Sequence, residues 1–132
     1  LLTAAREARP KAEGMVNVWS HGPRGALGGS TVPGMWLMGA SMRLMERAAP
    51  EVLFNDLNAC NAYTRGMDAA AAAQCPALLV VGSRDMMTSP RGAPKLAASM
   101  KNARVAAIEG SGHALMAEYP DAVLDALRGF IA

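Results

Sequence analysis

The chain is 132 residues long, 52% hydrophobic and 18% charged, which fits one globular domain with an apolar core of its own. Thirteen Lys and Arg against eleven Asp and Glu give a formal net charge of +2, so there is no basic footprint for nucleic acid or an anionic membrane surface. No apolar run approaches the roughly 20 residues that span a bilayer. Cys60 and Cys75 are too few for a disulfide scaffold and lack metal-ligand spacing, so both are expected as small buried hydrophobes.

Residues 1–13 carry neither the charged start nor the long apolar stretch of a signal peptide, and the first residue is Leu1 rather than Met. Either the N-terminus is processed or the chain is a fragment, and the expected localisation is cytoplasmic. Gly22-Pro23-Arg24-Gly25 and Gly28-Gly29-Ser30 are loop chemistry, and His21 beside them has no partner at ligand spacing, so it is expected as an incidental loop residue. Met38, Met42, Met45 and Ala49 fall on one helical stripe over about residues 34–49, which Pro50 closes. Leu53, Leu57 and Cys60 repeat the pattern over about 51–63, and the alanine run after Asp68 ends or extends a further helix. Up to residue 74 there is no clear strand. The ten methionines and two tryptophans, Trp19 and Trp36, read either as core or as a flexible apolar lid over a substrate pocket. On the second reading Trp36, and Met86 further along, are substrate contacts.

The texture changes near Gln74-Cys75-Pro76. Ala77-Leu78-Leu79-Val80-Val81 is a continuous apolar run between Pro76 and Gly82, as expected of a strand buried on both faces. Ala93, Leu96, Ala97 and Met100 share a helical face, Arg104-Val105-Ala106-Ala107-Ile108 reads as a second strand, and Val123, Leu124, Leu127 and Ile131 form a last apolar stripe, with Pro120 in its first turn. The order strand, helix, strand, helix implies a parallel sheet with a right-handed crossover.

Open parallel sheets bind ligands outside the carboxyl ends of their strands, and Asp85 and His113 each fall a few residues past such an end. Two neighbouring exit loops bring a carboxylate and an imidazole together. The carboxylate can then hold one ring nitrogen while the other takes a proton from a nucleophile. The plainer alternatives are an Asx-turn aspartate and a structural histidine. Glu118 reads as a helix-start charge or a local hydrogen-bond partner rather than a second catalytic acid.

The segment Pro76-Ala77-Leu78-Leu79-Val80-Val81-Gly82-Ser83-Arg84-Asp85 resembles the strand and turn that bear the catalytic acid in the α/β-hydrolase family. Gly110-Ser111-Gly112-His113, followed by Glu118 and Pro120, resembles that family's histidine loop and final helix. The resemblance implies an α/β fold, with residues 75–132 as part of the parallel-sheet core and residues 1–74 as a helical cap. It also implies an esterase-like hydrolase acting on a small-molecule substrate, with Asp85 and His113 catalytic and no metal or organic cofactor. The family's nucleophile sits on a Gly-x-Ser-x-Gly elbow. No such pentapeptide occurs in the 132 residues. Ser41, in Gly39-Ala40-Ser41-Met42-Arg43, is read as a helix serine, because a further strand should lie between it and the one before Asp85, and residues 51–74 contain no strand-like run. Two alternatives stay open: a related dehalogenase or epoxide hydrolase with an aspartate nucleophile upstream, and a non-catalytic α/β interaction module. Oligomeric state is not indicated.

Overall fold

The computed structural model describes residues 1–132. Six helices come first: α1 (Leu2–Glu7), α2 (Arg9–Ser20), α3 (Pro23–Ala26), α4 (Leu37–Arg47), α5 (Val52–Ala62) and α6 (Gly66–Ala72). Then follow β1 (Ala77–Gly82), a short 3-10 turn (Pro90–Gly92), α7 (Ala93–Ser99), β2 (Ala103–Ile108), α8 (Leu115–Glu118) and α9 (Pro120–Ile131). Prolines stand in the first turns of α2, α3, α7 and α9, where the missing N–H costs nothing.

The strands pair in parallel, in register from Ala77 opposite Ala103 to Gly82 opposite Ile108. Helices α7 and α9 pack on both. This is an α/β fold with a parallel sheet, as expected, but β1 is half-buried along most of its length rather than covered on both faces. The sheet has two strands, so the second edge of β1 has no partner.

The hydrophobic core is small: Ala5, Ala12, Leu37, Ala93, Ile108 and Val123. No methionine or tryptophan belongs to it, which corrects the core reading of those residues. Cys60 and Cys75 are also exposed, not buried: α5 has no buried residue at all, and Cys75 lies in the link before β1.

Helices α1 and α2 were not foreseen. The inner face of α2 is partly polar, with Glu13 and Asn17 buried beside Ala12. Arg9 bonds Glu13 at 2.7 Å and also donates to the carbonyls of Met45 and Ala48 at 2.7 and 2.8 Å, satisfying the C-terminal end of α4. Asn17 donates to the Met38 carbonyl at 3.0 Å. Hydrogen bonds thus do much of the work of joining α2 to α4.

Candidate active site

Parallel register puts the exit loops of β1 and β2 side by side, and backbone bonds lock them together. The Ser83 N–H donates to Ile108 O at 3.1 Å and the Arg84 N–H to Ser111 O at 2.8 Å. The Gly110 N–H donates to Ser83 Oγ at 2.9 Å. Two glycines make the approach possible. A Cβ on Gly82 would collide with the Gly112 and Ser111 carbonyl oxygens, and one on Gly112 would sit 2.7 Å from His21 C and Ser20 O.

Between these loops His113 Nδ1 lies 2.8 Å from Asp85 Oδ2. The other carboxylate oxygen, Oδ1, accepts from the N–H groups of Met87 and Thr88, both at 2.8 Å. Asp85 is therefore at once an Asx-turn residue and the partner of the imidazole. An ionised carboxylate only accepts, so the Nδ1 proton points at it and the lone pair is left on Nε2. The carboxylate side chain is 7% exposed against 48% for the imidazole. Nε2 has no protein partner, so the pair holds the ring by one nitrogen and leaves the other unpaired.

The histidine loop is fastened from below by Glu118, whose side chain is wholly buried. Its Oε2 accepts from the Gly112 N–H at 2.7 Å, and its Oε1 from the N–H groups of Gly22 at 2.7 Å and Gly25 at 3.2 Å. The Ala114 N–H adds a bond to Ser20 O at 2.8 Å. The local half of the Glu118 expectation describes Gly112, but the bonds to Gly22 and Gly25 reach across most of the chain. A weak signal was present: two glycine-rich loops, each needing backbone acceptors, and one acid just after the histidine.

His21 is not an incidental loop residue. It ends α2, is 9% exposed, and its Nδ1 bonds Asn17 O at 2.9 Å. Asp85 borders two cavities. One of about 560 Å³ contains His113 with Leu78, Val80, Leu96 and Leu115; the other, of about 610 Å³, lies between His21, Gly22 and the loop from Ser83 to Arg91, with Met86 on its wall. Trp36 lines neither; it precedes α4, is 57% exposed and folds its indole over Gly39. Ser41 lies within α4 and also lines neither. No three His, Cys, Asp or Glu side chains cluster to hold a metal ion, and no helix is long and apolar enough to cross a membrane.

The family model described as TAP-like protein matches residues 52–132. Among solved structures, an esterase from Exiguobacterium antarcticum superposes with a TM-score of 0.80 at 14% identity, over 98% of this chain and 45% of that one. Est816, described as an N-acyl homoserine lactone degrading enzyme, gives 0.75 at 22% identity, over 97% and 49%. A membrane phospholipase A, described as a bacterial virulence factor, gives 0.67 at 16%, over 92% and 37%. At these identities the likeness is one of fold, and the chain spans less than half the length of each of these structures. No curated protein matches the chain.

Proposed function

Because the chain belongs to the TAP-like family of α/β-hydrolases, we propose that His113 and Asp85 are the base and the orienting acid of a Ser-His-Asp triad that hydrolyses an ester or related acyl bond. The observation that supports this most is the 2.8 Å bond from His113 Nδ1 to a carboxylate whose other oxygen is already taken by two backbone N–H groups. Asp85 is thereby fixed in place, and it fixes the imidazole.

In this mechanism Nε2 takes the proton of a serine hydroxyl as the oxygen attacks the acyl carbon. Asp85 stabilises the imidazolium without itself taking the proton. His113 then gives that proton to the leaving alkoxide, and a water molecule repeats the sequence to release the acid. The nucleophile and oxyanion donors are assigned to a part of the protein outside residues 1–132. Two facts favour this: the sequence has no Gly-x-Ser-x-Gly, and it spans less than half of the solved hydrolase-fold structures it resembles. On the same reading residues 1–74 are the cap over the core of residues 75–132, and the 132-residue chain alone does not turn over esters. Met86 on the cavity wall is the apolar surface offered to substrate, whereas Trp36, which lines neither cavity, is not.

The test uses the full-length product with a p-nitrophenyl ester. His113→Ala should lower turnover by a factor on the order of 10³ to 10⁴ while the half-exposed side chain leaves thermal unfolding nearly unchanged. Near-normal turnover would show that His113 is structural. A serine-directed phosphonate should leave the 132-residue chain unlabelled; labelling that Ser41→Ala abolishes would move the nucleophile to α4.

A further inference from the structure

His21 is nine-tenths buried, and the mechanism does not use it. Its Nδ1 faces the Asn17 carbonyl at 2.9 Å, and a carbonyl only accepts, so the proton is on Nδ1 and Nε2 carries the lone pair. Nε2 has no protein partner. The only sealed side-chain polar atom without a partner is Asn17 Oδ1, so His21 Nε2 is not sealed off, and His21 lines the cavity of about 610 Å³.

Across that cavity stand Arg84 and Arg91, on the loop that follows β1. Neither guanidinium takes part in any hydrogen bond, ion pair or cation–π contact. The one carboxylate on the wall is Asp85, and both its oxygens are committed, to His113 and to the Met87 and Thr88 N–H groups. The wall thus carries two exposed, unpaired arginines and a buried imidazole against the single carboxylate of Asp85, a surplus of positive charge. That surplus disfavours a cationic ligand, and guanidinium forks match the oxygen geometry of carboxylates and phosphates. The volume falls within the roughly 300–1,000 Å³ of small-molecule sites, and Val18, Ala26 and Met86 supply apolar contact.

We infer that this cavity binds an oxyanion, with Arg84 and Arg91 as charged anchors; the His21 Nε2 lone pair only accepts, so it serves a hydroxyl or N–H of the ligand rather than its anionic oxygens. Asp85 separates it from the cavity holding His113. The anion is then an acid group at the far end of the substrate, as in a monoester of a dicarboxylic acid. That last step rests on the hydrolase reading; the binding itself does not.

The experiment titrates the 132-residue chain with succinate, with inorganic phosphate and with neutral succinamide, following the ring protons of His21 and His113 by NMR. At least one anion should shift His21 saturably, and succinamide should not. Arg84→Gln and Arg91→Gln should each weaken binding at least tenfold, while Arg104→Gln, on the exposed face of β2, should leave it within twofold. Saturation by succinate alone assigns a carboxylate ligand, by phosphate alone a phosphate ligand, and by both a general oxyanion site. Absence of a saturable His21 shift, or an equal loss in Arg104→Gln, overturns the proposal. In the full-length enzyme the preference for a hemisuccinate ester over its methyl-capped diester should fall tenfold in Arg84→Gln. Failed anion binding with His113-dependent hydrolysis intact removes only the subsite; anion binding without such hydrolysis removes only the reaction.

Discussion

Replacing Glu118 tests how the histidine loop is held. Its carboxylate accepts three backbone N–H bonds, from Gly22, Gly25 and Gly112. Ser111 Oγ is a fourth neighbour at 3.4 Å, but its single proton lies closer to the Gly112 carbonyl at 3.1 Å, so it adds little. In Glu118→Ala all three donors lose their acceptor in a region that is wholly buried. Each unsatisfied buried donor costs about 1–3 kcal/mol, and some relief comes from water entering the space, so a net loss of about 3–5 kcal/mol is expected. That is a large part of the roughly 5–15 kcal/mol by which a domain is stable. Glu118→Gln keeps the shape and one acceptor oxygen. That oxygen can serve Gly22 and Gly25, but the amide NH₂ then faces the Gly112 N–H, donor against donor. One bond is lost instead of three, for a cost of about 1–3 kcal/mol. Urea denaturation with both variants at matched slope measures the two values. Equal losses in Ala and Gln, or a loss below about 1 kcal/mol in Ala, would refute the donor count.

Asp85→Asn should lower turnover of the full-length enzyme on the order of 10⁴-fold with little loss of structure, because an amide can satisfy the Met87 and Thr88 N–H groups or hold the His113 tautomer but not both; esterase assays and circular dichroism check the two halves. Gly112→Ala should cost about 1–3 kcal/mol, since the new Cβ meets backbone atoms of Ser20 and His21 rather than a flexible side chain, and thermal unfolding reads this. Cys60 and Cys75 should both react with a thiol reagent in the native state, giving two equivalents per chain without denaturant.

The elements legible in the sequence are those whose apolar pattern is clean. The strand before Asp85, its parallel partner and the helices over Val52–Ala62 and Pro120–Ile131 lie within a few residues of their expected limits. Strand ends carry Asp85 and His113, so recognising the strands was enough to place the two side chains as neighbours. What stayed hidden depends on partners distant in sequence. The buried face of α2 is half polar because Arg9 and the α4 carbonyls satisfy it, and no periodicity reveals that in advance. His21 reads as a loop residue until Asn17 and the cavity wall surround it. The burial expected of the cysteines failed, as did the core reading of the methionines, because a two-stranded sheet and short helices provide few enclosed positions.

The junction of Ser20, Gly22 and Gly25 with Gly112, Ala114 and Glu118 bears on how such proteins can be recombined. A chimera cut at residue 74, with a foreign helical segment placed before β1, would part Glu118 from two of its three donors and Ala114 from its acceptor. The loop bearing His113 would then keep only the bond from Gly112 to Glu118 beneath it. A transplant that replaces only residues 30–74 and keeps residues 1–29 native preserves every bond of that junction, so variation in the helical segment is best tolerated downstream of Gly29.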